Sequence, residues 1–260
     1  MFLKRIILIF FCCGLLISCA AVPTDPVARK EYEATNDPLE PLNRKIFSFN
    51  MTLDEYVLEP VARGYRFITP KIVRTGVSNV LSNLSEPLTF VNNLLQFEFQ
   101  KSVETFGRFV TNSLLGIGGI FDVASNIGVP SNKTNFSETF AVWGFGEGPY
   151  LVIPFLGSAN VRTSFGMMAS FFDDPFYYVA KNNDMKVWYY VKEGTQIVST
   201  REANLDLIDS YKKDSLDFYA TARTIFQQNQ RKLTEGNSLK GNTAPSYEFD
   251  FPTDEEFDAE

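Results

Sequence analysis

Residues that could act as nucleophiles or proton shuttles are few, and their spacing completes no catalytic pattern. The 260-residue chain has no histidine, which excludes a Ser-His-Asp or Cys-His couple and any histidine-ligated metal. Ser210 and Lys213 have the Ser-x-x-Lys spacing, but they lie in a charged segment typical of a solvated helix face. The glycine-rich segments 116–119 and 144–148 lack the flanking residues of a nucleotide-binding loop. We therefore expect no catalysis, no metal and no cofactor.

Cys19 is the one residue whose surroundings predict a specific reaction. Lys4 and Arg5 precede an apolar run over residues 6–17, which is too short to span a membrane, and Leu16-Ile17-Ser18 leads directly into Cys19. This order resembles the bacterial lipobox, in which the signal peptide is removed and the cysteine receives fatty acids such as palmitate. The alternative is a plain secretory signal with a chance cysteine.

Acylation at Cys19 would have two consequences. Cys12 and Cys13 would leave with the signal peptide, so the mature chain would hold one cysteine and no disulfide. Several acyl chains on that cysteine would anchor the protein firmly to a membrane. By resemblance to the sorting pattern of enterobacterial lipoproteins, Ala20 at the next position favours the outer membrane.

Charge and composition narrow the remaining functions. The net charge is −7 and the pI about 4.9, which argues against a nucleic-acid partner because neutralising phosphates requires clustered Lys and Arg. The chain has 25 phenylalanines, whose side chains carry no polar group. We expect them to face a core, a lipid or a partner.

Periodic apolar residues predict an all-α domain with little strand alternation. We expect a signal peptide over 1–18, a tether over 19–36, the helical domain over 37–233 and an acidic disordered tail over 234–260. The breakers and apolar stripes predict helices at the following places: from Pro41 to about Tyr56, ended by Glu59-Pro60; from Thr69-Pro70, with a hydroxyl N-cap; from Ser85-Glu86-Pro87; over Ser158 to Phe172; from Asp184 to about Asp206; and over Ser215 to Leu233.

Two features do not fit an ordinary helical globule. Three segments carry no charge, namely Pro87–Phe97, Phe109–Phe121 and Gly148–Val161, and none is long enough to span a membrane. They form either core or segments that lie in a lipid interface against neighbouring protein. Within the second of them, Gly116, Gly118 and Gly119 predict a non-helical turn or hinge with at least one positive φ, the alternative being close helix packing with ordinary dihedral angles.

Several motifs in a fixed order resemble those of the VacJ/MlaA lipoprotein family, over about Asn36 to Gln230. The matching segments are Asn36-Asp37-Pro38-Leu39-Glu40-Pro41-Leu42-Asn43-Arg44, Ile46-Phe47-Ser48-Phe49-Asn50, Asn83-Leu84-Ser85-Glu86-Pro87, Arg108-Phe109 with Gly116, Gly118-Gly119 and Phe121-Asp122-Val123-Ala124, Gly148-Pro149-Tyr150, and Asn204-Leu205-Asp206-Leu207-Ile208-Asp209.

The resemblance implies a ring of amphipathic helices in the inner leaflet of the outer membrane of a Gram-negative bacterium, facing the periplasm and anchored at Cys19. A channel through the ring would let phospholipids misplaced in the outer leaflet pass to a periplasmic lipid carrier, which feeds an ABC transporter of the inner membrane. Outer-membrane porins are the other implied partners.

Four residues of the first helix are the candidates for the mouth of that channel. Asn43 and Asn50 are seven residues apart, so they share a helix face and can offer hydrogen bonds to a head group. Phe47 and Phe49 point about 200° apart, so one can pack inside while the other faces lipid or the pore. The alternative is that both phenylalanines pack inside and both asparagines cap or bridge structural elements.

Two other classes of function compete with lipid transfer. An envelope enzyme such as a lipase is disfavoured because histidine and a Gly-x-Ser-x-Gly motif are absent. A structural lipoprotein that tethers or organises porins would need only an exposed recognition surface, which the uncharged phenylalanine-rich segments do not resemble.

Overall fold

The computed structural model describes residues 24–25, 29, 35–172 and 175–238, and it confirms the predicted helical fold. The helices are α1 (Glu40–Leu53), α2 (Glu59–Ile68), α3 (Lys71–Leu95), α4 (Phe99–Leu114), α5 (Val123–Asn126), α6 (Phe136–Val142), α7 (Val161–Phe172), α8 (Pro175–Asn182), α9 (Lys186–Ala203), α10 (Leu205–Asp214) and α11 (Phe218–Ser238). One antiparallel hairpin is the exception, with β1 (Tyr150–Ile153) paired to β2 (Gly157–Asn160). The predicted signal peptide, Cys19, most of the predicted tether and residues 239–260 lie outside the described residues.

Pro60 does not end the first helical segment, contrary to prediction. A π-helical turn over Asp54–Leu58 joins α1 to α2, and the N–H of Glu59 donates to the carbonyl of Asp54, five residues earlier. A proline ring inside an ordinary helix clashes with the carbonyl four residues before it, which here belongs to Tyr56. The wider turn relieves that clash, so the helical path continues through Pro60.

Pro87 likewise lies inside a helix rather than at the start of one. α3 is continuous over its 25 residues, and the Ser85 hydroxyl donates to the carbonyl of Leu81, 3.0 Å away, instead of capping a new helix. α3 begins at Lys71 with Pro70, not Thr69, at the cap position and without a side-chain cap. Pro87 has no N–H and therefore removes one backbone hydrogen bond from α3. The extensive packing of α3 along α4 offsets this loss.

The predicted helix over Ser158 to Phe172 begins three residues later, because its first residues form β2. Asn160 and Thr163 cap the start of α7 reciprocally. The N–H of Thr163 donates to Asn160 Oδ1 at 2.8 Å, and the N–H of Asn160 donates to Thr163 Oγ1 at 2.7 Å. The helix predicted from Asp184 is α9, and α10 follows it as a separate helix before α11.

The packed elements form a closed circuit. From α1 the contacts pass through the π-helical turn to α2, then to α9, α3, α6 and α7, and return through β2 and β1 to α1. α11 packs against α6 and β2, on the same side of the circuit as the hairpin. The described residues therefore form a ring of helices completed by one hairpin.

Ion pairs fasten α2 and the π-helical turn to α9. Arg201 donates to both carboxylate oxygens of Asp54, with Nη2 at 2.9 Å from Oδ2, and both side chains are buried. Burial raises the pKa of Asp54, but Arg201 outweighs it and holds that pKa below its usual range. Arg66 pairs with Glu202 at 2.8 Å. Removing one partner of the buried Asp54–Arg201 pair costs about 3–5 kcal/mol, so this pair holds the π-helical turn firmly against α9.

The outer surface is unusually apolar. Phe67, Ile68 and Ile72 are 92%, 79% and 77% exposed. Each uncharged segment also presents a large exposed side chain, among them Phe97 and Leu115. Nevertheless, none of the helices within the described ranges is long and apolar enough to cross a membrane. Exposed apolar surface of this extent is typical of a lipid or protein contact.

Candidate functional site

A polar cavity of about 350 Å³ lies inside the ring. Ser85 and Leu88 of α3 line it together with the middle of α9, while Leu156 of the hairpin turn and Met167 of α7 line the opposite side. The cavity is thus bounded by α9, α3, α7 and the hairpin turn, four elements of the circuit.

The lining of this cavity is amphipathic. Hydroxyl and amide groups come from Ser85, Ser170, Tyr189 and Gln196, among apolar side chains. Lys192 and Glu193 add one charge of each sign, with Lys192 Nζ at 3.1 Å from Glu193 Oε1. The Lys192 side chain is only 13% exposed. The cavity can therefore accept a group that carries both charge and hydrocarbon.

The sequence did not identify these lining residues. The sequence predicts a helix start at Ser85 and a helix at α9, and neither prediction assigns these residues to a cavity. A Lys-Glu pair beside apolar positions is common on solvated helices, so only the neighbouring elements show that Lys192 and Glu193 point inward.

Asn43 and Asn50 bind the hairpin, and neither lines the polar cavity. Asn43 is 1% exposed; its amide donates to Tyr150 O at 3.1 Å and accepts from the N–H of Val152 at 2.9 Å. Asn50 donates to Ile153 O at 3.0 Å and accepts from the N–H of Phe155 at 2.8 Å. The two asparagines do share a face, but the geometry gives them the bridging role of the alternative interpretation.

Phe47 and Phe49 point in different directions, as their spacing indicates. Phe47 packs against the core of Tyr150 and Tyr219, with ring centroids 5.4 Å apart in the Phe47–Tyr219 pair. Phe49 is half exposed and contacts the exposed Phe155 of the hairpin turn edge to face. Neither is among the residues that line the polar cavity.

The turn predicted at Gly116, Gly118 and Gly119 is present. Gly118 and Gly119 have φ of +68° and +95°, and Ile117 between Gly116 and Gly118 is also in the left-handed region. A Cβ at Gly119 would lie 2.6 Å from Cβ of Asn83 on α3, so the turn packs closely on that helix. Asn79 also donates to Ile120 O at 3.0 Å, which ties the turn to α3.

A buried charge cluster supports the same turn. Arg108 of α4, 3% exposed, donates to Asp122 at 3.0 Å and to Val129 O at 2.7 Å, and it faces the buried Glu86 of α3. Burial raises the pKa of Asp122, but hydrogen bonds from Ser125, Asn112 and Arg108 outweigh it and lower that pKa to about 2. Burial raises the pKa of Glu86, and Arg108 only partly offsets this. Every cation and carboxylate of the cluster has a partner, which fits a structural role.

No group of three or more potential metal ligands lies within the described part of the chain. Buried carboxylates in this part of the chain are bound by arginine instead. Asp54 accepts from Arg201, and Asp37 accepts from Arg223. Asp37 accepts from Tyr219 and Arg223, and burial together with this contact raises the pKa of Tyr219. These groups hold the N-terminal segment, α11 and the hairpin together.

The fold and the cavity define a ring of helices with an amphipathic interior, and comparison with known proteins identifies its family. The family described as MlaA lipoprotein matches residues 35–233. The chain is 35% identical over 238 residues to the Escherichia coli (strain K12) protein named intermembrane phospholipid transport system lipoprotein MlaA, covering 89% of each chain. It is 33% identical over 216 residues to the protein of that name from Haemophilus influenzae, covering 81% of this chain and 84% of the relative.

A relative from Rickettsia bellii, named only as an uncharacterized protein, is 39% identical over 194 residues, 74% of each chain. A solved structure described as the structural basis for maintenance of bacterial outer membrane lipid asymmetry matches with a TM-score of 0.66 and 33% identity, covering 76% of this chain and 98% of that one. The chain belongs to the MlaA lipoprotein family.

Proposed function

We propose that this protein removes phospholipids misplaced in the outer leaflet of the outer membrane and passes them toward the inner membrane. The observation that carries the proposal is the amphipathic cavity lined by several elements of a ring whose exposed surface is strongly apolar. The names of the Escherichia coli and Haemophilus influenzae relatives, and the description of the matching structure, support the same function.

The protein is held at the outer membrane, on its periplasmic face, by acyl chains on Cys19. The lipobox and Ala20 support this location. The exposed apolar side chains, such as Phe67 and Leu115, support contact of the ring with the hydrocarbon of the inner leaflet. The turn at residues 116–121 suits that environment because its backbone groups bond within the protein, for example Gly119 N–H to Asn112 O at 2.8 Å.

Transfer requires that a polar head group and two acyl chains pass through without a covalent step. The hydroxyl groups, Gln196 and the Lys192–Glu193 pair of the cavity can replace water around a charged head group, while Leu88, Leu156 and Met167 accept hydrocarbon. In this proposal the protein is not an enzyme, and it needs neither a metal nor a cofactor.

Two protein partners belong to the proposal. A periplasmic lipid carrier receives the phospholipid and feeds an ABC transporter of the inner membrane. An outer-membrane porin holds the ring within the bilayer. The apolar outer surface supports the second contact, because a porin wall at membrane depth is also apolar.

The test is complementation in a strain from which the gene has been deleted, with phospholipid exposed at the cell surface as the readout. We expect the wild-type gene to lower surface phospholipid and Ser85→Trp, which puts a large side chain into the cavity, to fail although the protein accumulates. Ser48→Trp, at an exposed serine of α1 outside the described cavities, is the matched control and restores transport.

Each outcome separates the candidate functions. If the wild-type gene leaves surface phospholipid unchanged but alters the amount or assembly of porins, the structural role is the correct one. If phospholipid is hydrolysed by the purified protein, the lipase class is correct. If Ser85→Trp and Ser48→Trp both restore transport, the lipid does not pass through this cavity.

A further inference from the structure

An apolar groove of about 1000 Å³ lies between α3 and α9, next to the polar cavity. Val77, Val80 and Leu84 of α3 form one wall, and Trp188 and Val191 of α9 form the other. Phe121, in the turn after α4, closes one side. Its volume is at the upper end of the range for small-molecule sites, which is about 300–1000 Å³.

The groove connects two different surfaces. Ile72 and Trp188 on its rim are 77% and 62% exposed, so it opens to the apolar outer surface of the ring. Lys192 lines both the groove and the polar cavity, so the inner end of the groove lies beside the cavity's charged groups. A ligand lying along this path would have an apolar end outside and a charged end at Lys192.

The chemistry of the walls selects the occupant. An extended peptide would bring backbone N–H and C=O groups into the groove, where few polar groups could satisfy them, and that burial is costly. Hydrocarbon chains carry no such groups. A phosphate attached to them could reach the ammonium of Lys192, which is already paired with Glu193 at 3.1 Å, so the head group meets both charges of that pair.

We propose that the groove binds the acyl chains of a single phospholipid while its head group lies in the polar cavity beside Lys192. This inference rests on the proposed transport function and adds to it a lateral binding site between α3 and α9. In this arrangement the tails remain in contact with the outer apolar surface as the head group moves inside the ring, so neither part is transferred into an unfavourable environment.

The tryptophans of the chain allow a direct test. There are two, Trp143 and Trp188, so Trp143→Phe leaves Trp188 in the groove as the sole indole. The full-length protein in dodecyl maltoside is titrated with phosphatidylcholine brominated at mid-chain, and quenching of Trp188 is recorded. We expect quenching that saturates at equimolar lipid.

Val191→Phe and Ile197→Phe form a matched pair in that background. Val191 and Ile197 both lie on α9 and are 48% and 52% exposed, but only Val191 lines the groove. Val191→Phe should weaken the apparent lipid affinity by roughly tenfold or more, because its ring occupies space in the groove that the acyl chains would otherwise fill. Ile197→Phe should leave the affinity unchanged, and thermal unfolding checks that both variants fold.

The proposal is overturned if quenching rises in proportion to the lipid content of the micelles without saturation, or if Val191→Phe and Ile197→Phe behave alike. Trp188 would then contact only the surrounding lipid. This failure is distinguishable from failure of the transport function, because wild-type complementation of the deletion strain is measured independently and would still succeed.

Discussion

At the scale of single residues, Asn43, Asn50 and Phe47 share one task, which is to attach α1 to the hairpin. The two asparagines replace strand partners for β1 and the hairpin turn by bonding four backbone groups, and Phe47 fills the apolar space between β1 and α11. A buried amide with both its donor and its acceptor in use is costly to replace. These residues therefore stabilise the ring at its hairpin join.

The opposite surroundings of Phe47 and Phe49 give a testable contrast. Phe47→Asp should lower the free energy of unfolding by several kcal/mol, because a carboxylate would be buried among Tyr150, Val152 and Tyr219 without a partner. Phe49→Asp, two residues away on the exposed side, should change stability by less than about 1 kcal/mol. Thermal unfolding in detergent measures both.

Equal stability losses in the two variants would contradict the orientation of α1 described above. If Phe49→Asp leaves stability unchanged but fails to lower surface phospholipid in the deletion strain, Phe49 takes part in lipid passage, one of the two roles that its spacing from Phe47 allows. A lipid level as low as that with the wild-type gene would restrict its role to the contact with Phe155.

At the scale of elements, the turn between α4 and α5 determines how closely that segment approaches α3. Its exposed side chains are apolar, its backbone groups are bonded within the turn, and Arg108 and Asp122 fix the chain beyond it. The turn supplies Ile120 and Phe121 to one wall of the apolar groove. Its geometry therefore affects both the stability of the ring and the shape of the groove.

Alanine substitutions at the adjacent residues Gly118 and Gly119 distinguish two contributions to stability. One is the free energy of the left-handed backbone conformation, and the other is that of close packing against α3. Gly118→Ala places a Cβ in open space at φ +68° and should destabilise by about 1–2 kcal/mol, the cost of the left-handed conformation. Gly119→Ala meets the same kind of restriction at φ +95° and also forces Cβ against Asn83, so it should cost more, about 3 kcal/mol or above.

The unfolding temperatures of Gly118→Ala and Gly119→Ala show which substitution destabilises the protein more. If Gly118→Ala proves as damaging as Gly119→Ala, close packing on Asn83 contributes nothing measurable. If both are neutral, the turn tolerates side chains and can rearrange as a hinge, which the sequence left open.

At the scale of the whole molecule, the ring has an apolar outside and an amphipathic inside. This arrangement reverses the usual distribution for a protein in water, in which large apolar patches are rare. Among the described residues, the fully buried apolar cluster is small and centres on Tyr150, Val152 and Tyr219, whereas charge pairs such as Asp54–Arg201 occupy buried joins. The ring therefore buries little apolar surface within itself and leaves much of it exposed.

A form without acyl chains should still need detergent. We expect a secreted variant with a cleavable signal and no Cys19 to remain with membranes or to aggregate in buffer, because the exposed apolar surface would be hydrated. The combined change Phe67→Gln, Ile68→Asn and Ile72→Asn, at positions 92%, 79% and 77% exposed, should reduce the detergent requirement.

Size-exclusion chromatography with and without detergent gives the answer. A non-lipidated wild-type form that is monomeric and freely soluble in buffer would show that the apolar surface needs no lipid. The triple variant is run beside the non-lipidated wild-type form. A difference in elution between the two measures the effect of Phe67, Ile68 and Ile72 on solubility.

The sequence by itself determined the helical class, the turn at Gly118 and Gly119 and the absence of a histidine-based catalytic set, because these depend on local propensity and residue type. Only the tertiary structure decided that the helical path continues through Pro60 and Pro87, that Asn43 serves the hairpin and that Lys192 faces the interior. The cavity lining combines residues from helices far apart in the chain, so no local pattern contains it. Hydrophobic periodicity shows which face of a helix is apolar, but in this ring apolar faces point both inward and outward, so the periodicity cannot distinguish lipid-facing surface from core.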